Sequence, residues 1–181
     1  MSERMRFVPY LAGVTLVALL AGCGGSSGPT QTPTPAPTPT PCTQTVVVQD
    51  SGGVPSRTIV YNDISVPDSG RLDATMDWTY ADSHMGLYVV PANTCALADF
   101  NARTCNFLVR SETGSKPRKV STPNFAAGNY RWMVANFASV DESATLQIVL
   151  SKGSCAALGR ASAAFERADE SRPPLEHILH R

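Results

Sequence analysis

Histidine is scarce in this chain: three in 181 residues, with only His84 inside the patterned middle of the sequence. A single imidazole there leaves no Ser-His-Asp or Cys-His order for nucleophilic catalysis. Excess charge is missing too, because 15 Lys and Arg balance 15 Asp and Glu. Within the patterned region only Lys116, Arg118 and Lys119 cluster, a group the size of a solvated turn. Nucleic acid needs a broad basic field and is excluded as a partner. The chain lacks a close Cys-x-x-Cys pair, so no metal or other cofactor is expected. Gly24-Gly25 and Gly52-Gly53 precede no strand–helix unit of the phosphate-binding kind. His177 and His180 stand three apart but lack a third ligand. Among Asp63, Asp73, Asp77 and Glu112 no spacing singles out an acid pair for glycoside hydrolysis. The chain reads as noncatalytic, with no catalytic residue assigned.

Long apolar runs are also absent. The longest, Phe7 to Ala21, is shorter than the roughly 20 apolar residues that a spanning helix needs. It follows Arg4 and Arg6 and ends in Leu20-Ala21-Gly22-Cys23, the layout of a processing segment rather than of a fold. These four residues resemble the lipobox of bacterial lipoprotein signal peptides. That resemblance implies a signal peptide over 1–22, cleavage before Cys23, and a diacylglyceryl thioether on the Cys23 sulfur. A further acyl chain on the new amino group would accompany it, and two or three chains hold far more firmly than one. The membrane is then a partner through lipid, in the bacterial cell envelope. Gly24, standing where inner-membrane retention in enterobacteria uses Asp, favours the outer membrane.

Residues 24–41, GGSSGPTQTPTPAPTPTP, hold no charge and no aromatic, so burial cannot offset the entropy of ordering them. Alternating Pro and Thr favour an extended chain of about 3.1 Å per residue, a stalk of at most roughly 55 Å. Cys23 and this disordered stalk make up residues 23–41. Residues 42–155 form one patterned segment of ordinary domain size. The tail, 156–181, turns Ala-rich and charged around Pro173-Pro174. Its few apolar residues keep no helical stripe, so it is expected to be mostly disordered, with a weak helix over Ser162 to Glu170.

With Cys23 assigned to lipid, Cys42, Cys95, Cys105 and Cys155 remain, an even set in an exported chain. Four cysteines allow three connectivities. Cys95 and Cys105 bracket a short polar excursion, while Cys42 and Cys155 stand at the two ends of the patterned segment. Cys95–Cys105 with Cys42–Cys155 is therefore the favoured pairing.

Between the cysteines the apolar residues recur with period two. Leu72, Ala74, Met76 and Trp78 share one phase, as do Leu146, Ile148 and Leu150. Tyr130, Trp132 and Val134 alternate less cleanly with Arg131, Met133 and Ala135. Further strands are expected at Thr45 to Gln49, Thr58 to Val66, Leu87 to Val90, Cys105 to Arg110 and Arg118 to Thr122. Turn-forming Gly, Pro, Asn and Asp separate them. About eight short strands and no long helix predict an all-β fold, an antiparallel, jelly-roll-like β-sandwich.

Several runs resemble bacterial pre-peptidase C-terminal-type domains over residues 60–150. Ser69-Gly70-Arg71-Leu72-Asp73-Ala74-Thr75-Met76-Asp77-Trp78 is similar to their "G-x-L-x-v-x-v-x-W" strand. Gly86 to Val90 resembles their "D-L-y-l" strand, Phe125 to Asn136 their "l-x-a-G-t-Y" element, and Ser143 to Leu150 their closing strand. The resemblance implies a noncatalytic accessory module beside secreted peptidases or in envelope proteins. Relatives hold calcium with acids before the Leu-Tyr strand. Here Ala81 to Gly86 offers Asp82 alone, and calcium wants six to eight oxygens.

Binding in a sandwich falls to loops. Tyr80, at a strand end, together with Asp82 and His84 in the following turn, are the candidate ligand-binding residues. Trp78 and Trp132 lie on the apolar phase and are expected in the core. The leading expectation is a lipid-anchored, noncatalytic envelope protein that binds an envelope protein or a glycan. A carbohydrate-binding module using surface aromatics is the alternative, and a small hydrolase built around His84 a weaker one.

Overall fold

The computed structural model describes residues 40–112, 116–156, 162–163 and 171–181. Cys23, the signal segment, the stalk up to residue 39 and the helix expected over Ser162 to Glu170, apart from its first two residues, lie outside them. The described elements are β1 (Thr43–Val54), β2 (Thr58–Val66), β3 (Gly70–Trp78), β4 (Met85–Pro91), α1 (Leu97–Ala102), β5 (Val109–Ser111), β6 (Arg118–Phe125), β7 (Gly128–Asn136), β8 (Glu142–Lys152), β9 (Ser162–Ala163) and β10 (His177–His180). They build two five-stranded sheets: sheet A in the order β1-β8-β3-β6-β9 and sheet B in the order β10-β2-β7-β4-β5. The fold is an all-β sandwich. The first eight strands pair antiparallel, whereas β9 joins β6 and β10 joins β2 in parallel.

Alternation places one face of each sheet in a shared core. Leu72, Ala74 and Met76 of β3 and Leu146, Ile148 and Leu150 of β8 face Val60, Leu87, Trp132 and Val134 of sheet B. The solvent face of β8 keeps exposed Ser143, Thr145 and Gln147, as a half-buried strand should. In β7, by contrast, the other phase is buried as well: Met133 and Ala135 are fully covered. Its blurred alternation has a physical cause, because sheet B is packed on both faces. A second apolar cluster, containing Ile59, Tyr88, Phe100, Met133, Phe137 and Leu175, lies on its outer side.

Two segments form that outer layer, and both depart from expectation. The excursion between Cys95 and Cys105 carries the six-residue α1, which drives Phe100 into the second cluster. Its end is set by Arg103 in the left-handed region, φ 62°. The strand expected from Cys105 starts only at Val109. The tail departs further. Residues 171–181 are neither disordered nor helical: Leu175 is buried against Phe100 and Phe137, and His177–His180 form a strand. Ser162–Ala163, placed in the expected helix, pair with β6 instead. The folded unit therefore extends beyond Cys155.

Disulfides join Cys42 to Cys155 and Cys95 to Cys105. The first lies where β1 begins and β8 ends, with Thr43 opposite Lys152. Gly153 sits there at φ +77°, and a Cβ on it would run into the Pro41 carbonyl oxygen. Only glycine lets the incoming chain lie this close to β8.

Candidate functional site

The sandwich has two ends. At one, Thr43 pairs with Lys152 and Gly70 with Phe125; at the other, Val54 pairs with Glu142, Trp78 with Ala144 and Met85 with Asn136. The second end is made of three connections: 55–57, 79–84 and 137–141. It holds all three sequence candidates, Tyr80, Asp82 and His84.

Two buried polar side chains organise these connections. The Asn136 amide, fully buried, donates to the carbonyls of Val54 (3.0 Å), Pro55 (3.2 Å) and Val140 (2.8 Å). Its Oδ1 accepts the Ala138 N–H at 2.9 Å. One side chain thus binds the β1–β2 and β7–β8 connections together. The Glu142 carboxylate is also buried. It accepts the N–H of Thr79 at 2.9 Å and that of Tyr80 at 3.2 Å. Asp141 accepts the Ser56 N–H at 2.8 Å, and Phe137 donates to the His84 carbonyl at 2.9 Å. Buried donors and acceptors with filled partners hold loop backbone in one arrangement.

On this frame Tyr80 is 57% exposed and Val140 47% exposed. With Ser139 and Asp141 they line one shallow depression. Asp82 and His84 do not line it. Asp82 is exposed in the turn closed by the Ser83 N–H to Tyr80 carbonyl bond, 3.1 Å. His84 is half-buried, its ring 5.0 Å from that of Phe137. Of the three candidates, then, only Tyr80 contributes to the depression. Val140, Asn136 and Glu142 were not singled out by sequence, although a polar residue closing the apolar run of β7 marks Asn136.

Trp78, Trp132 and Tyr88 are buried, so they form no stacking platform. Arg118 covers the Trp78 ring, its guanidinium carbon 5.5 Å from the centroid. Asp77, a strand-end acid near Asp82, faces an ammonium. Lys116 Nζ lies 3.5 Å from Asp77 Oδ1 and donates to the Thr79 carbonyl at 2.9 Å. Among the described residues no three His, Cys, Asp or Glu side chains gather in a way that could hold a metal.

The four acids that sequence left open each face a base. Asp63 pairs with Arg131 at 2.8 Å, Asp73 with Arg71 at 2.9 Å, Asp77 with Lys116 at 3.5 Å and Glu112 with Arg172 at 3.4 Å. Hydrogen bonds from Arg131 hold the Asp63 carboxyl below its ordinary range, outweighing partial burial. Burial pushes the Tyr88 phenol well above its ordinary value, helped by the charge of Glu112.

No family model and no curated protein matches the sequence. Among solved structures, the chain is similar to the pre-peptidase C-terminal domain of a collagenase from Bacillus anthracis. The identity is 12%, the match covers 57% of this chain and 89% of that one, and the TM-score is 0.45. The mitogen derived from Yersinia pseudotuberculosis matches at 11% identity over 75% and 94% of the two chains, with a TM-score of 0.42. A carbohydrate-binding module of lichenase 5A from Cellvibrio mixtus, solved with cellotriose, matches at 10% identity over 59% and 88%, TM-score 0.35. The fold assignment here rests on the two sheets themselves.

Proposed function

We propose that this chain is a lipid-tethered, noncatalytic protein of the bacterial envelope, whose sandwich presents the Tyr80–Val140 depression to a protein partner. The observation that carries the reading is the opposition of the two ends. The chain arrives from the N-terminal side at the end held by Cys42–Cys155, where the Ser154 N–H donates to the Thr40 carbonyl at 3.1 Å. The Tyr80 depression lies a strand length away, about 30 Å for nine residues at 3.3 Å each. A lipid on Cys23 would tether the chain on the side of the Cys42–Cys155 end and leave the Tyr80 end free for a partner. The two disulfides suit an oxidising compartment outside the cytoplasm.

The depression offers an aromatic and an aliphatic side chain beside Asp141, on backbone that needs no ordering when a partner arrives. Its chemistry suits an apolar side chain with a neighbouring positive charge on a protein surface. A glycan platform of paired aromatics loses its physical basis with both tryptophans buried.

Two measurements test this. Cys23→Ala should move the protein from the membrane to the soluble envelope fraction, and mass spectrometry of the native chain should find acyl groups on Cys23. A photoreactive aromatic at position 80 should give a discrete protein adduct in intact cells. The same probe at exposed Thr145, on the face of sheet A, should not. Equal labelling at both positions, or none at 80, would refute the assignment of the depression.

A further inference from the structure

Ten residues apart in the chain, Cys95 and Cys105 close the excursion that carries α1 over the outer face of sheet B. On its own such an excursion is weakly determined. α1 has six residues, and its Ala96 N-cap supplies no side-chain bond; a helix so short does not stand alone. Phe100 is its one buried side chain. Cys95 at φ 72° and Arg103 at φ 62° turn the chain back through the left-handed region, which an L residue keeps only where its surroundings enforce it. Cys95 is buried in the outer cluster, and Cys105 packs against that cluster.

Arg172 and Leu175 of the tail are gripped chiefly by this excursion. Asn101 bonds the Leu175 backbone twice: its amide donates to the carbonyl and its Oδ1 accepts the N–H, both at 2.9 Å. Arg172 Nη2 donates to the Phe100 carbonyl at 3.3 Å, and the guanidinium carbon sits 4.6 Å from the Phe100 ring centroid. Sheet B adds the Tyr88 hydroxyl, 3.2 Å from Arg172 Nη1, and Glu112 Oε1 at 3.4 Å. Leu175, so clamped, is buried in the outer cluster, and His177–His180 follow it onto the edge of β2. We infer that residues 171–181 are a strap set by oxidation: they close over sheet B when Cys95–Cys105 forms, and stand open from Arg172 to Leu175 in the dithiol chain.

The step is a thiol–disulfide exchange with a disulfide donor outside the cytoplasm. The Cys95 and Cys105 thiols give up two protons and two electrons, one S–S bond forms in the chain, and the donor's own S–S bond breaks to leave a dithiol. Closing this loop lowers the entropy of the open excursion, so Phe100 and Asn101 stand in place when the tail arrives. A tail that meets preformed partners loses less freedom on docking. The coupling is reciprocal: a docked tail favours the oxidised pair by the factor by which the bond favours docking. A chain made with free thiols therefore keeps its outer aromatics, Phe100, Phe107 and Phe137, uncovered by the tail until it reaches an oxidising compartment. Cys42–Cys155 lies elsewhere, at the ends of β1 and β8. The strap rests neither on the tether nor on the Tyr80 depression.

Two measurements on the full-length chain test this. Cys95→Ser combined with Cys105→Ser should speed hydrogen exchange at the Leu175 N–H at least about tenfold. The Leu146 and Ile148 amides of β8 should change far less, which separates an open strap from a weaker fold. Leu175 exchange that is unchanged, or that rises only in step with β8, overturns the inference. The reciprocal measurement uses Asn101→Ala, which keeps every cysteine and suits a helix better than Asn, so that a loss reports the contacts to the tail. In a glutathione buffer, with each pair followed by alkylation and peptide mass mapping, its equilibrium constant for oxidising Cys95–Cys105 should fall about tenfold. That for Cys42–Cys155 should keep its value. Should the serine variant fail to fold, this balance decides: a Cys95–Cys105 pair as resistant to reduction in Asn101→Ala as in the unaltered chain overturns the coupling.

Discussion

Glu142→Ala is the most direct probe of the loop end that presents Tyr80. The carboxylate is 3% exposed and accepts two backbone N–H groups, at 2.9 Å from Thr79 and 3.2 Å from Tyr80. Hydrogen bonds to a charged group contribute about 1.5–3 kcal/mol each. Thr79 and Tyr80 themselves are exposed, so water can reach part of what the carboxylate leaves, which puts each bond at the low end. The expected loss is about 2–3 kcal/mol, close to 8 °C in the unfolding midpoint for a domain of this size. In Glu142→Gln the amide oxygen can stand in for Oε2, which accepts both N–H groups, and only the longer 3.3 Å contact of Oε1 with the Tyr80 N–H becomes donor against donor. That variant should lose about 1 kcal/mol. Urea unfolding of the oxidised protein reads both values, and hydrogen exchange localises them: the Thr79 and Tyr80 amides should exchange faster in the alanine variant, while those of β8 remain protected. Position 80 should also lose its selective adduct. A cost below about 0.5 kcal/mol for Glu142→Ala, the range of an ordinary surface change, would refute the role given to this carboxylate. Unchanged exchange at Thr79 and Tyr80 would do the same.

Breaking Cys42–Cys155 by Ser substitution opens a loop of 113 residues and should cost up to about 4–5 kcal/mol in thermal unfolding. Arg172→Met alone should cost about 3–5 kcal/mol by removing the guanidinium that lies 3.4 Å from the buried Glu112 carboxylate, and adding Glu112→Leu should restore most of it; a double variant no more stable than the single would contradict the pairing. Asp63→Asn should cost only about 0.5 kcal/mol at neutral pH, because the Asp63–Arg131 pair lies at the surface. Since Asp63 titrates below its ordinary value in the folded chain, that difference should be complete above about pH 3.9 and vanish as pH falls further through the folded value. Denaturation curves at stepped pH read it directly.

The strands were legible because their chemistry is local. Thr145 to Leu150 alternates cleanly, with one face buried and one in water, and β8 lies there. β2 runs over the residues read for it, Thr58–Val66. The disordered alternation around Trp132 carried information of another kind, since a strand covered on both faces has no polar phase to show. What covers it was not legible. α1 has six residues, too few for a helical period, and its single buried side chain is Phe100. The tail spreads Leu175, Ile178 and Leu179 among charges, and its anchor is an arginine, a residue that composition assigns to solvent. Only a partner 60 residues earlier in the chain, Glu112, makes its burial sensible.

The same division runs through the loop end. Tyr80 could be picked from its place at a strand terminus. Asn136 and Glu142 act on backbone 82 and 63 residues away, and such closures leave no trace in periodicity. His84 is a candidate through its place in the turn after Tyr80, yet a place in a turn says nothing about where a ring packs, and this one rests against Phe137.

The position of Cys42–Cys155 has a mechanical meaning for a chain held through Pro41. β1 is the edge strand of sheet A and pairs only with β8 there. Pulled from its N-terminal end, it would peel from β8 one ladder bond at a time, starting at Thr43. The disulfide sits just outside that first pair and ties the incoming chain to the far end of β8. Peeling then cannot begin, because Cys42 cannot move away from Cys155. Load passes instead into β8, which is bonded on both sides, to β1 and to β3, and those ladders must shear together rather than open in sequence. The loop end, fixed by Asn136 and Glu142 at the opposite extreme of the same strands, keeps its shape when the N-terminal end of β1 is loaded.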